Sequence, residues 1–530
     1  MTRVEIELST IPRMMQSAAL RYEDQLAIVD GETELTYRAL GAQIERFAAG
    51  LVECNVQPGD RVGIWLPNGW RWVVAALGAL SAGAVLVPLN TRYKQGEADA
   101  LLARSRAAAV VASHDFLGRN FASEILEGRG VTWRGIVVSS GAYGRAISWE
   151  DLQSDGDTAA VEVRRRVARQ SGQDASDLIF TSGTTGRPKG VETSHAQNLR
   201  AFEAWADIVG LREGDRYLLI NPMFHAFGFK AGVLAGLIKG ATLLPEPVFD
   251  AERVLERVQS ERIDVLPGPP TLYQSLLDVV RRGGPKPGVR LAVTGAAPTP
   301  VSLIEAMSNE LGFERVVNGY GLTEACGVVA LTRDSDDPGM VASTSGTPIP
   351  GVEVKIVDEH GDDVAPGILG EVQVRGYNVM RGYMDDDEAT RACISADGWL
   401  ATGDIGRLVE GRVQITDRKK DMVLVGGFNV YPAEVESVLL QRPEIARAAV
   451  VGVEDGRLGE VAVAFIVLAP DAGAEPANLS SWCASVLANF KVPRKFTVLE
   501  ELPLNTSGKV DKLELRRIAR EQQAERGVKI

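Results

Sequence analysis

Cysteine is scarce in this sequence. Four occur in 530 residues, Cys54, Cys326, Cys393 and Cys483, all far apart. That excludes a disulfide scaffold and any thiolate metal site of the usual close spacing, and it fits reduced thiols in a cytoplasmic protein. Positive charge is also short: 57 Lys and Arg stand against 70 Asp and Glu, a net charge of −13. There is no basic footprint for nucleic acid, so a phosphate ligand has to be met by local cations. Long apolar runs are missing as well. Met1 to Gln16 lacks the continuous apolar core of a secretory signal. Trp72 to Leu89 carries no charge over 18 residues, near the length of a membrane span. Its Ala and Gly content and its ending, Val85-Leu86-Val87-Pro88-Leu89, fit a buried helix running into a buried strand instead. No integral membrane span is expected, and no heptads, solenoid repeats or low-complexity tracts occur.

What remains is a hydrophobic fraction of 45% in a chain too long for one core, so two or more domains are expected. Residues 20–115 alternate helix-like and strand-like segments, including strands at Arg61 to Leu66 and Ala107 to Ala112 and a helix around Glu97 to Arg106. Residues 113–175 are polar and irregular. Alternation then resumes: helix Ala196 to Val209, strand Arg216 to Ile220, helix Phe229 to Lys239, strand Ala241 to Leu244, helix Asp250 to Ser260, and strands at Val265-Leu266 and Leu291 to Val293. This pattern predicts parallel sheets covered by helices. From Gly346 to Arg375 short alternating strands suggest a small β-rich subdomain. The charge cluster Asp417-Arg418-Lys419-Lys420-Asp421 reads as a solvated turn and a domain boundary.

One stretch dominates the chemistry: Thr181-Ser182-Gly183-Thr184-Thr185-Gly186-Arg187-Pro188-Lys189-Gly190, after the apolar run Leu178-Ile179-Phe180. Seven of its ten residues are Gly, Ser or Thr. Glycines let backbone approach a ligand, hydroxyls and N–H groups donate to phosphate oxygens, and Arg187 and Lys189 add charge. The form G-x-x-x-x-G-K-[ST] fails here, because Lys189 follows Pro188 and precedes Gly190. Further on, Tyr320 in Asn318-Gly319-Tyr320-Gly321-Leu322-Thr323-Glu324 offers a ring face to a base, Thr323 a hydroxyl to a phosphate, and Glu324 a hard oxygen to Mg²⁺. Asp404, in Gly398-Trp399-Leu400-Ala401-Thr402-Gly403-Asp404, provides a carboxylate suited to paired ribose hydroxyls. Lys509 stands in Asn505-Thr506-Ser507-Gly508-Lys509-Val510, where a mobile ammonium would stabilise charge developing on a phosphate.

The decapeptide and these blocks, in order from about Leu35 to Lys509, resemble the adenylate-forming enzymes: acyl-CoA synthetases, luciferases and peptide-synthetase adenylation domains. The resemblance implies a large N-terminal domain (1–419) of helix-covered parallel sheets with the β-rich subdomain. It also implies a small mobile α+β C-terminal domain (420–530) hinged at Lys420. Its implied cofactors are ATP, Mg²⁺ and coenzyme A. Phosphates fall to Thr181, Ser182, Gly183, Thr184, Thr185, Gly186 and Lys189, and the metal to Thr184 and Glu324. Adenine falls to Tyr320, with Asn318, Gly319, Gly321, Gly295, Ala296 and Ala297 around it, the last three bordering the acyl pocket. Thr323 contacts phosphate, Asp404 ribose, and Arg418 ribose and phosphate. His225, in Asn221-Pro222-Met223-Phe224-His225-Ala226-Phe227-Gly228, would stand between the acyl pocket and the thiol tunnel, and Gly426 and Gly427 would border the pantetheine channel. Lys509 is the implied catalytic lysine; Leu504 departs from the basic residue common before it.

The implied reaction is carboxylate, ATP and coenzyme A to acyl-CoA, AMP and diphosphate through an acyl-adenylate. A free carrier protein as acyl acceptor and a homodimer stay open. The short stretch after Lys509 is expected to leave no room for an attached carrier domain, and intact Thr184, Glu324, Asp404 and Lys509 speak against a silent sensor. Gly228-Phe229-Lys230-Ala231-Gly232 with Gly426 to Glu434 resembles the synthetases that activate steroid-derived ring propionates. Medium-chain and aryl acids remain alternatives. Lys230 would then meet a substrate ketone or second acid, or else reach solvent or pair with an acidic side chain.

Overall fold

The computed structural model describes residues 4–127, 135–181, 188–295, 299, 301–418, 421–425, 428–455, 457–469, 472, 476–505 and 509–524, with 418, 428–429, 476–477 and 524 by backbone only. The chain divides into two compact units, one of 1–296, 301–353 and 374–400, the other of 297–300, 354–373 and 401–530.

In the first unit, uninterrupted apolar runs form the interior strands of two sheets, as strands covered on both faces require. One sheet orders its described strands Thr347–Pro348, Ala330–Leu331, Arg315–Tyr320, Leu291–Gly295, Val265–Pro267, Arg216–Leu219, Thr242–Pro245, Leu26–Asp30 and Thr33–Thr36. The other runs Gly382–Tyr383, Lys189–Ser194, Ala175–Thr181, Val85–Pro88, Arg61–Trp65, Ala107–Ala112, Ile136–Ser139 and Ile147–Ser148. Both are parallel through the middle, as expected, and turn antiparallel at one or both ends. The charge-free stretch is the helix Trp70–Ser81, buried from Trp72 onward and followed by the buried strand Val85–Pro88. No helix of the described residues is long and apolar enough to cross a membrane.

Two expectations fall short here. The described residues of 113–175 are not irregular throughout: they hold the helices Phe121–Glu127, Trp149–Leu152 and Asp157–Arg169 and two strands. The predicted helix Phe229 to Lys239 begins two residues earlier as a π-helix, Phe227–Leu234, and becomes α only over Ala235–Lys239.

The second unit carries a five-stranded sheet of Phe428–Val430, Val423–Val425, Gly459–Leu468, Ile445–Asp455 and Lys495–Val498. One face packs Val435, Leu439 and Leu479, from the helices Pro432–Leu439 and Pro476–Val486. The other packs Leu515 and Ala519, from the helix Lys512–Ala524. The β-rich stretch joins a four-stranded sheet of Val352–Val357, Gly370–Gly376, Leu400–Val409 and Arg412–Arg418. The charge cluster is not a solvated turn throughout. Asp417 is buried and accepts from the Ala433 N–H (2.9 Å), an amide in the first turn of Pro432–Leu439 that the helix itself leaves unpaired. Asp421 accepts from Arg516 (2.9 Å).

Candidate functional site

The strand Ala175–Thr181 pairs antiparallel with Lys189–Ser194, and Thr181 stands opposite Lys189. The hydroxyl-rich loop therefore closes a hairpin and does not feed a helix. The next helix, His195–Val209, begins six residues later with its own capping box between Ser194 and Gln197. A phosphate held here would draw its donors from the loop and its flanking side chains and not from a helix N-terminus. Ser182, Gly183, Thr184, Thr185, Gly186 and Arg187 lie outside the described residues; the flanks Thr181 and Lys189 are described.

The strand Arg315–Tyr320 brings the second motif to the carboxyl end of the other sheet, where ligands of open α/β sheets gather. Gly295 faces Gly319 across the strand pair, and a Cβ at 295 would lie 2.4 Å from the Gly319 carbonyl oxygen. Only glycine permits that approach. Ala296 and Ala297, next in the chain, lie outside the described residues. Asn318 is a brace: its amide donates to the carbonyls of Val341 (2.9 Å) and Thr344 (3.0 Å), and its N–H to the Thr332 hydroxyl (2.9 Å). Past half-buried Tyr320 and Gly321, a single 3₁₀ turn, Thr323–Ala325, presents Glu324.

The structure brings Glu324 to the hairpin. Its Oε1 accepts from the Thr181 hydroxyl (3.3 Å) and from the Tyr383 hydroxyl (3.1 Å). The Lys189 ammonium lies 4.8 Å from the centroid of the Tyr383 ring. Burial first, and the Glu324 charge next, push the Tyr383 phenol far above its ordinary range, so the hydroxyl remains a donor. Tyr383 was missed in the sequence, where its only signal is a Gly-Tyr pair that any edge strand could carry. Both hydrogen bonds that Glu324 accepts from described side chains fall on Oε1. The second oxygen suits Mg²⁺, which takes one or two carboxylates and completes its shell with water and phosphate. Among the described residues no group of three His, Cys, Asp or Glu forms a self-sufficient cage.

His225 is half-buried just before the π-helix, its ring edge-on to Phe224 at 4.6 Å between centroids. Lys230, on the π-helix, is wholly buried and pairs with Asp177 at 2.8 Å, side chains 0% and 1% exposed. Its ammonium also donates to Thr193 Oγ1 (3.0 Å) and lies 4.0 Å from Cys326 Sγ. Asp177 in turn accepts from Thr193, Asn198 (3.0 Å) and Ser176 (3.3 Å). Of the placements expected of Lys230, pairing with an acidic side chain is the one present, and solvent is not reached. The pair ties the π-helix to the strand that enters the loop. Cys326, two residues past Glu324, donates to Asn198 Oδ1 (2.9 Å), and burial raises its thiol to about 11.

In the second unit, Asp404 stands directly opposite Arg418 on the antiparallel pair Leu400–Val409 and Arg412–Arg418. Its N–H donates to the Thr402 hydroxyl (3.1 Å). Lys509 is exposed, and its backbone closes a small loop with Asn505: Lys509 N–H to Asn505 Oδ1 (3.1 Å) and Asn505 N–H to the Lys509 carbonyl (2.7 Å). Lys420, Gly426 and Gly427 lie outside the described residues.

Comparisons with known proteins identify the family. Residues 15–384 match the family described as AMP-binding enzyme, and 434–509 the AMP-binding enzyme C-terminal domain. The 7a-methyl-1,5-dioxo-octahydro-1H-inden-4-yl propanoyl:CoA ligase of Rhodococcus jostii is 45% identical over 96% of this chain and 98% of its own length. The ligase of the same name from Mycobacterium tuberculosis is 45% identical over 97% of this chain and 99% of its own. Among solved structures, the anthranilate CoA ligase AuaEII in complex with anthranoyl-AMP matches with a TM-score of 0.86 at 26% identity, over 98% of this chain and 99% of that one. The hairpin loop, the tyrosine-bearing turn with its glutamate and the near full-length kinship lead to one conclusion: this chain belongs to the AMP-binding, adenylate-forming enzymes and is an acid–thiol ligase.

Proposed function

We propose that this ligase activates a propionate carried on a fused, ketone-bearing ring system. The observation that carries the choice of acid is the 45% identity, across nearly the whole chain, with two ligases named for such an acid. A relative named for medium-chain acids stands at 31%. The observation that supports adenylation is the cluster of Thr181, Lys189, Tyr383 and Glu324 beside the loop.

In the first half-reaction a carboxylate oxygen of the acid bonds to the α-phosphorus of ATP, and the bond to diphosphate breaks. Tyr320 stacks on adenine, Thr323 and the 181–190 loop donate to phosphate oxygens, and Asp404 accepts from the ribose hydroxyls with Arg418 beside it. Glu324 and Thr184 would hold Mg²⁺, which when bound neutralises phosphate charge. Lys509 donates to the α-phosphate as its charge develops. The 420–530 segment then turns about Lys420 and withdraws Lys509. The backbone at Gly426 and Gly427 borders the pantetheine arm, His225 lines the junction of acid and thiol, and the coenzyme A sulfur attacks the acyl carbon as AMP departs. The location proposed is the cytoplasm, consistent with four free cysteines.

Two assays test this. Lys509→Ala is expected to abolish acid-dependent exchange of diphosphate into ATP; undiminished exchange removes that lysine from the first step. In a carboxylic acid panel scored by diphosphate release, ring propionates should exceed medium-chain and aryl acids by roughly tenfold or more in kcat/KM. A preference for linear acids overturns the substrate assignment.

A further inference from the structure

Glu324 and Lys189 carry opposite charges, and Tyr383 lies against both. Its hydroxyl donates to Glu324 Oε1 (3.1 Å), and its ring carries the Lys189 ammonium at 4.8 Å from the centroid. Among the described residues neither charge forms an ion pair with the other. Tyr383 is itself held on several sides. Its strand, Gly382–Tyr383, pairs with Lys189–Ser194, Tyr383 opposite Val191. The Tyr383 N–H donates to the Thr390 hydroxyl (2.9 Å), and Thr390 lies on the helix Asp387–Cys393, capped by Asp386. On one side of it the Met380 N–H donates to the Glu324 carbonyl (2.8 Å); on the other the Met384 N–H donates to the Gly190 carbonyl (2.8 Å). The short segment 380–384 thus clamps the turn of Glu324 and the strand after the loop to one another.

We propose that Tyr383 is a positioning residue that keeps the glutamate and the lysine apart, so that the carboxylate stays available to a divalent cation and the ammonium to a phosphate. Without a spacer, a lysine and a glutamate that both lie against one side chain are free to form a direct pair. That pair would have to be broken each time a magnesium nucleotide enters, and its attraction is strong in a partly desolvated site. A phenol fits the task better than another charge. Its hydroxyl fixes one carboxylate oxygen, and its ring face attracts the ammonium through the quadrupole without neutralising it. The proposal rests on the reading of Glu324 as the magnesium ligand.

The test uses binding to the full-length protein, with no turnover. ATP binding is followed by calorimetry while Mg²⁺ is varied, for the parent and for Tyr383→Phe, Tyr383→Leu and Glu324→Gln. Tyr383→Phe keeps the ring and loses the donor. It should weaken the apparent Mg²⁺ affinity by about tenfold, as loss of an outer partner of a metal ligand does, and leave ATP binding without Mg²⁺ unchanged. Tyr383→Leu loses the spacer too, and should also weaken ATP binding without Mg²⁺. AMP binding, which needs neither charge, should stay within about twofold in both, a result that a misfolded site would not give. A Mg²⁺ titration of Tyr383→Phe that superposes on the parent, while Glu324→Gln shifts it, overturns the proposal and spares the metal assignment. A Glu324→Gln protein with parental Mg²⁺ dependence overturns the metal assignment and the proposal with it.

Discussion

Lys230→Met isolates the buried pair between the π-helix and the strand entering the loop. Lys230 and Asp177 are 0% and 1% exposed and 2.8 Å apart. Removing the ammonium leaves a carboxylate with no route to water. Uncompensated buried charge of this kind costs about 3–5 kcal/mol. Thr193, Asn198 and Ser176 still donate to Asp177, which places the expected loss near the lower end, about 3 kcal/mol. The first unit is several times larger than a small domain, and with about 2.1 cal/mol/K of unfolding entropy per residue the fall in Tm is about 4 °C. A chain of two units need not unfold in one step. The transition to follow is therefore that of tryptophan fluorescence, since Trp65, Trp72 and Trp205 are buried in the first unit. The double variant Lys230→Met, Asp177→Asn removes both charges at once and should recover at least half of the loss. A single variant that melts with the parent, or a double variant no better than the single, refutes the reasoning. Either result would mean that the pair contributes no net coupling between the two elements.

Two further outcomes follow from the same structure. His195 is buried, and its Nδ1 accepts from the Ile11 N–H (3.4 Å); burial lowers its pKa from 6.5 to about 4. Below pH 6.5 the unfolded chain binds a proton that the folded one refuses, so stability falls as pH drops and levels off once the folded histidine titrates as well. The full effect is about 3 kcal/mol, and His195→Gln should flatten that limb of a plot of Tm against pH. Gly295→Ala puts a methyl 2.4 Å from the Gly319 carbonyl oxygen. It is expected to cost about 1–3 kcal/mol of overpacking and to raise the dissociation constant of AMP, measured by calorimetry, because the displaced strand carries Tyr320.

Much of the fold is legible where burial is continuous. Ala107–Ala112 shows its full extent as an apolar run because a strand covered on both faces has no polar side to interrupt it. The helix Asp157–Arg169 is hidden for the opposite reason. It buries Ala159, Val163 and Val167 together with Arg166, whose guanidinium donates to the carbonyls of Val56 (2.7 Å) and Ala82 (2.9 Å). A cation in the core breaks the apolar period on which a sequence reading depends. The site divides in the same way. Tyr320, Glu324 and the loop announce themselves because their residue types cluster locally. Tyr383 and the Lys230–Asp177 pair act through partners 59 and 53 positions away, which no local pattern records. The sequence shows a helix at Phe229 to Lys239 but not its π winding, to which apolar periodicity is blind. Gly228 packs so close to the preceding turn that a Cβ there would lie 2.1 Å from the Pro222 carbonyl oxygen.

That wider winding of Phe227–Leu234 makes the segment sensitive to the loss of a single residue. A π-turn holds one residue more than an α-turn, so deleting a single codon in this stretch would let the backbone relax to ordinary winding while Ala235–Lys239 stays in register. Every side chain ahead of the deletion would swing by about 100°, the angle per residue of an α-helix. His225 and Phe224, which precede the segment, would then turn to face different neighbours. Lys230, fixed to Asp177 on the strand that enters the loop, anchors the segment in its present winding.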